Sequence, residues 1–200
     1  MLGSRRAFKP VNVTTTDRHV ELLRATASGD IAAFRELFRA HHPAVFRIAY
    51  GVLLDHDEAA DVAQEVMLKL QREAAAFRPR ALLSTWLFRV TINEALSFRR
   101  RLARLPRALL LSTAATSSVE EAVGDRQAAH AIRRAMQGLS ATHRAVLTLH
   151  FDQELSPREL APILKLTPNA ARVRLHRALA ELRRAAAEQG FANDFSWEQA

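Results

Sequence analysis

Asn169, Arg172, Val173, His176 and Arg183 fall on one side of a helical projection, with Arg174 and Arg177 flanking them. Guanidinium groups grip guanine bidentately and hold phosphates, and a carboxamide grips adenine. A helix carrying this set can both position itself on DNA and read bases. Ala171, Leu175, Ala178, Leu179 and Leu182 recur at three- and four-residue spacing and form an apolar stripe on the other side. A solvated basic face has the same composition. What separates the two readings is the frame that holds the helix.

That frame is legible upstream. Ser156 is placed to cap a short helix, with Pro157 in its first turn and Glu159 spaced to reach back as a capping box. A helix ending near Leu164 leaves a short turn before Thr167, which caps a second helix with Pro168 in the same favoured position. Two capped helices joined by about three residues make a helix-turn-helix, and the arginine-bearing helix is its second. The expected partner is the DNA major groove.

Composition agrees in sign. The 200 residues carry a net charge of +8, which favours a polyanionic partner. Lys9, Lys69 and Lys165 are the only lysines, so arginine dominates the 29 basic residues; with so many alanines, this is also the mark of a GC-rich genome. There is no cysteine, which excludes disulfides, thiolate metal sites and a cysteine nucleophile and suits a reducing cytoplasm. No apolar run has the length of a membrane span, so no membrane insertion is expected. Ser4 to Lys9 superficially resembles a twin-arginine signal, but the polar stretch Val11 to Arg18 lacks the apolar segment such a signal needs. Residues 1–19 read as a flexible tail.

Two further clusters lie in the first half. Asp61, Gln64, Glu65 and Leu68 share one helical face, while Ala59, Ala63, Val66 and Leu70 share another. The first face is polar and acidic with an apolar end, suited to a basic partner, and equally to plain solvent exposure. Arg89, Asn93, Ser97 and Arg100 line up on a later helix beside Trp86 and Phe88, a mix suited to phosphates and unstacked bases. At least two of Trp86, Phe88 and Phe98 are expected in the core.

The elements that must position these residues are helical. From Val20 to about Arg101 we expect a helix capped by Asp30, another started by Pro43, a third begun by Asp55 or Asp57 and running to about Ala76, and a fourth begun by Ser84 or Thr85. No segment alternates with period two over a useful length. Residues 105–127 contain Pro106 and a Ser/Thr-rich run and read as a linker, although Leu109, Leu110 and Leu111 are apolar enough to dock. A second block, 128–187, holds a helix to Leu139, another from Ser140 to Phe151, and the helix-turn-helix; residues 188–200 form a C-terminal tail. The expected fold is all-α: two small helical domains, 20–104 and 128–187, joined by a flexible linker.

Three segments in order carry a family resemblance: Asp57-Glu58-Ala59-Ala60-Asp61-Val62-Ala63-Gln64-Glu65-Val66, then Trp86-Leu87-Phe88-Arg89-Val90-Thr91-Ile92-Asn93, then the helix-turn-helix ending Arg172-Val173-Arg174-Leu175-His176-Arg177-Ala178. Together they resemble a bacterial RNA polymerase sigma factor of the extracytoplasmic-function (ECF) class. The resemblance spans about Val20 to Ala187. It implies that Asp61, Gln64, Glu65 and Leu68 dock on the clamp helices of the largest polymerase subunit. It implies that the loop from Phe77 and the helix after it open and read the promoter −10 element, through Ser84, Thr85, Trp86, Arg89, Asn93, Ser97 and Arg100. Capture of an unpaired base in that loop would drive melting. The second block would contact the polymerase flap and read the −35 element through Thr167, Asn169, Ala170, Arg172, Val173, Arg174, His176 and Arg177. The linker would thread toward the polymerase active-site cleft. The implied partners are core RNA polymerase, promoter DNA and an anti-sigma factor, in the cytoplasm, with no cofactor and no metal.

This chain departs from the family pattern at four places. Pro162 stands inside the first helix of the helix-turn-helix, and Lys165 occupies the turn position where glycine is usual, so both are expected to disturb the turn. Ala170 replaces a usual threonine. Leu96 and Ser97 lie where many relatives have an aspartate, so −10 preferences do not carry over.

The residues alone leave other classes open. A one-component repressor uses the same helix-turn-helix but needs a dimer or ligand domain. An enzyme lacks support: the histidines are scattered, His41-His42 has no partner at metal-ligand spacing, and no phosphate-binding glycine loop occurs. A helical adaptor that does not bind DNA is the remaining alternative.

Overall fold

The computed structural model describes residues 13–77, 82–104 and 126–188, with side chains described for 18–77, 82–104 and 132–188. All regular structure among them is helical: α1 Val13–Ala27, α2 Ile31–Leu53, α3 His56–Glu73, a 3₁₀ turn Ala74–Ala76, α4 Leu83–Leu102, α5 Arg126–Gln137, α6 Ala141–Phe151, α7 Pro157–Leu164 and α8 Pro168–Glu188. The tail 1–12, residues 105–125 of the linker with its three leucines, and residues 189–200 lie outside the described residues.

α2 is the spine of the first block. Asp30 caps it, its carboxylate accepting from the N–H groups of Ala32 and Ala33 at 2.8 and 3.1 Å. Its buried face runs Leu37, His41, Ala44, Val45, Ile48, Ala49 and Val52 and packs against α1, α3 and α4. Pro43 does not start a new helix; it lies inside this one. A proline there lacks the N–H that would reach the Arg39 carbonyl, at a cost of about 3 kcal/mol. Pro43 is on the exposed side, where water can satisfy that carbonyl. Apolar burial runs on both sides of it, each large side chain adding roughly 1.5–3 kcal/mol, so the helix continues.

Other boundaries also differ from the sequence pattern. Residues 13–19, expected within the tail, form the first turns of α1. Asp55 caps α3 by accepting from the Glu58 N–H at 2.9 Å, and α3 tightens into the 3₁₀ turn after Glu73. α4 starts at Leu83 with no side-chain cap, so Ser84 and Thr85 lie inside its first turn. Burial of Leu83 sets that start, and here packing overrides capping chemistry.

In the second block, α6 is capped by Ser140, whose hydroxyl accepts from the His143 N–H at 3.2 Å. α7 and α8 pack on each other and on α6, burying Leu160, Ile163, Ala171, Leu175, Leu179 and Leu182. The two blocks touch: α2 packs against α6, α4 contacts α7, and the buried apolar side chains form one continuous cluster.

Candidate nucleic-acid and polymerase interface

The turn between α7 and α8 forms despite its unusual residues. Glu159 accepts from the Ser156 N–H at 2.8 Å and from its hydroxyl at 2.6 Å, which opens α7 as the capping-box spacing predicts. These two hydrogen bonds hold the Glu159 carboxyl below its ordinary value. Pro162 is tolerated because it too lies on the exposed side of its helix, between the buried Ala161 and Ile163. Lys165 takes the left-handed conformation at φ 53°, and the N–H of Leu166 bonds back to the Ala161 carbonyl at 2.9 Å. The chain reverses as it would at glycine, with strain on the order of 1 kcal/mol. The expected disturbance at these two positions is therefore absent. Thr167 then caps α8, its hydroxyl accepting from the Ala170 N–H at 3.2 Å.

α8 divides as its sequence pattern predicts. Ala171, Leu175, Ala178, Leu179 and Leu182 are buried. Thr167, Asn169, Arg172, Val173, His176, Arg177 and Arg183 are exposed, and Ala170 and Arg174 are half-buried at the edge. Val173 is 41% exposed, an apolar side chain held among arginines where a thymine methyl can meet it. The first turns of α8 thus present donors, cations and one apolar contact on a single convex face.

α3 separates its carboxylates by direction. Asp61, Gln64, Glu65 and Leu68 are exposed on one face, opposite the buried Ala59, Ala63, Val66 and Leu70. Glu65 pairs with Arg72 at 2.5 Å, and Leu68 is 39% exposed. Glu58, in the same sequence motif, points inward: burial and the nearby Asp55 push its carboxyl up, and its buried Oε2 has no hydrogen-bond partner. Spacing alone did not distinguish Glu58 from its neighbours, because the third residue of a helix can turn either to solvent or to the helix start.

On α4, Phe88 is buried, whereas Trp86 and Phe98 are half-buried against the core. Trp86 meets the edge of Phe77 with ring centroids 6.2 Å apart, so the two ends of the 77–85 connection are pinned to each other. Residues 78–81 of that loop lie outside the described residues. Asn93 and Arg100 are exposed, and Ser84, Thr85, Arg89 and Ser97 are half-buried. Arg89, Asn93, Ser97 and Arg100 therefore form one accessible strip, continued by the exposed Arg101 and Arg104.

Among the described residues no group of three or more His, Cys, Asp or Glu side chains is arranged to hold a metal ion. No described helix is long and apolar enough to cross a membrane.

The two helical blocks match two regions of one known family, in the same order. Residues 37–105 match Sigma-70 region 2 and residues 129–182 match Sigma-70, region 4. The chain is similar to the ECF RNA polymerase sigma factor SigM of Mycobacterium tuberculosis H37Rv, 33% identical over 164 residues covering 82% of each chain. It is 24% identical to the ECF RNA polymerase sigma factor SigW of Bacillus subtilis 168 over 174 residues, covering 81% of this chain and 93% of that one. Among solved structures, CnrH in complex with the cytosolic domain of CnrY aligns with TM-score 0.62 and 25% identity over 86% of this chain and 99% of that one. RpoE from Bartonella quintana, solved with the anti-sigma factor NepR, shares the fold with TM-score 0.64 and 22% identity over 78% of this chain and 98% of that one. The chain belongs to the ECF class of bacterial RNA polymerase sigma factors, the initiation factors that direct polymerase to promoters.

Proposed function

We propose that this chain docks on core RNA polymerase through Asp61, Gln64, Glu65 and Leu68, and reads a bipartite promoter through α4 and α8. The observation that carries this reading is the pairing, in one chain, of an outward acidic face on α3 with a basic, apolar-studded face on the second helix of a helix-turn-helix. The α3 face suits the clamp helices of the largest subunit, and the second block suits the flap. Ser84, Thr85, Trp86, Arg89, Asn93, Ser97 and Arg100 belong to the −10 contact. Thr167, Asn169, Ala170, Arg172, Val173, Arg174, His176 and Arg177 belong to the −35 contact.

The working units are residues 20–104 and 128–187, with 105–127 as the connecting segment. The chain itself makes no covalent bond; nucleotidyl transfer belongs to the polymerase, in the cytoplasm. Of the two structural neighbours, CnrH was solved with the cytosolic domain of CnrY and RpoE with the anti-sigma factor NepR. An anti-sigma factor covering the same faces is the expected regulator here. In vitro transcription with a bacterial core enzyme on a promoter library tests the reading. A shared −35/−10 pattern among the transcripts supports it; no promoter-specific initiation with any core enzyme sinks it.

A further inference from the structure

Five aromatic rings form a ladder along α2. Phe34, Phe38, His42, Phe46 and Tyr50 follow at four-residue spacing, one ridge of the helix surface. Phe38 stacks on His42 with ring centroids 4.5 Å apart. Phe34–Phe38, His42–Phe46 and Phe46–Tyr50 follow at 6.2, 6.4 and 6.3 Å. Burial lowers the pKa of His42, so at neutral pH it joins the ladder as an uncharged ring. Phe38, Phe46 and Tyr50 rest on the core, yet all five rings are only half-buried, so their outer edges lie at the surface. The neighbouring ridge, Ile31, Arg35, Arg39, Pro43 and Arg47, is exposed throughout, Ile31 to 69%. Arg47 is paired with Asp152, and Arg133 of α5 lies over the Tyr50 ring. Arg35 and Arg39 have no side-chain partner among the described residues.

We infer that residues 189–200 of this same chain cover the ladder and its basic ridge. Phe191, Phe195 and Trp197 give that segment three aromatic side chains. Asp194 and Glu198 are its only charged side chains, in a chain whose net charge is +8. The segment carries what the surface lacks: carboxylates for Arg35 and Arg39, and rings to lie against the ladder. Other basic surfaces fit it less well. The reading face of α8 offers one exposed apolar side chain, Val173. The basic end of α4 offers Phe98, which Arg101 already covers at 5.6 Å from its centroid. Only α2 sets a continuous aromatic ridge beside unpaired cations.

The surface is within reach. Glu181 of α8 pairs with His143 at the start of α6, and the next residue, Arg144, touches the Val52 carbonyl near the end of α2. The last turns of α8 therefore lie about two helix-packing distances, roughly 20 Å, from α2. The ladder runs about 24 Å from Tyr50 back to Phe34, at about 1.5 Å per residue. Twelve residues span up to about 40 Å, enough to bring Phe195 and Trp197 onto Phe46 and His42. The contact is intramolecular, so a short tether supplies an effective concentration in the millimolar range. Weak apolar and ionic terms then suffice to hold it. Nothing in this contact depends on promoter reading.

The chain has no cysteine, so two spin labels can be placed cleanly. Labels at A40C, exposed on α2, and at Q199C are read by pulsed electron spin resonance on the full chain. We expect one narrow, short distance. D194K/E198K should release the segment and spread the distances over roughly 20 Å, the r.m.s. reach of twelve unconstrained residues. These two substitutions lie outside the helical core, so folding is not at stake. R35E/R39E should do the same, and R35E/R39E combined with D194K/E198K should restore the narrow distance. F195S/W197S should release the segment with its charges intact. A broad distribution in the native chain overturns the proposal. So does a narrow one that survives D194K/E198K or F195S/W197S, or a combined charge swap that restores nothing. A dipolar signal from chains labelled at A40C alone would put a second copy on the ladder, and overturns it as well.

Discussion

Glu159 accepts both the N–H and the hydroxyl of Ser156, at 2.8 and 2.6 Å, and so fixes the first turn of α7 to the residue that precedes it. E159Q keeps the shape and loses the charge-assisted bonds, so it is expected to destabilise the second block by about 1 kcal/mol at neutral pH. The folded carboxyl is held below its unfolded value of 4.5. Its contribution is therefore complete above that value and fades as pH falls through the folded one. Urea titrations of both proteins should show a constant gap above pH 5 that narrows below about pH 4; a gap that widens on acidification contradicts this.

Arg172 and Asn169 stand with Val173 on the exposed first turns of α8, while Arg174 and Arg177 flank that strip. R172A and N169A are expected to relax base preference, each by about 1–3 kcal/mol, at particular positions of the −35 element. R177A should instead weaken all sequences alike and reduce the salt slope by about one. Anisotropy titrations on a panel of single-base variants, at several salt concentrations, separate the two behaviours.

The outward carboxylate of Glu65 is held beside Arg72, with Leu68 one turn further along the same face. E65K and L68A are expected to lower affinity for core polymerase at least tenfold, because one reverses a charge and the other removes the apolar end of the patch. Both should leave −35 duplex binding unchanged, since α3 and α8 make no extensive contact among the described residues. Pull-down against core enzyme beside duplex binding checks each arm, and equal loss in both assays indicates unfolding rather than docking.

Lys165 sits at φ 53°, and Pro162 removes one hydrogen-bond donor from α7. K165G is expected to raise stability by about 0.5–1 kcal/mol, after the greater chain entropy of glycine is deducted. P162A should raise it more, by up to about 3 kcal/mol. Thermal unfolding of the second block reads both; no gain at either position means the exposed carbonyl and the turn carry less strain than their geometry indicates.

The reading face of α8 and the cap of α7 were legible because both depend on residues within four positions of each other. Ser156 and Glu159, or Leu175 and Leu179, declare their partnership in the sequence. Pro43 misled because its local preference for a helix start was outweighed by a buried face, Leu37 to Val52, that only the packed bundle supplies. The start of α4 was displaced for the same reason, by burial of Leu83. The contact between the two blocks, where Arg144 Nε donates to the Val52 carbonyl, was not legible at all. Arg144 and Val52 are 92 positions apart, and the acceptor is a backbone carbonyl, which no residue type advertises.

His41 shows the same tertiary control over chemistry. It lies on the buried face of α2, edge-on to His19 with ring centroids 4.7 Å apart, and its Nε2 has no hydrogen-bond partner. Burial, and then the neighbouring His19, lower its pKa from 6.5 to about 4. The unfolded chain therefore binds a proton that the folded chain refuses between those values. Stability falls as pH drops from 6.5 towards 4, by an amount on the order of 3 kcal/mol for this group. H41L removes the titration while keeping an apolar side chain of similar reach, so its stability should vary less with pH across that window. Denaturant titrations of both proteins at pH 7.5, 6 and 5 measure the difference. Parallel curves would mean that His41 gains a partner on protonation, and that its buried nitrogen is not the source of the acid sensitivity.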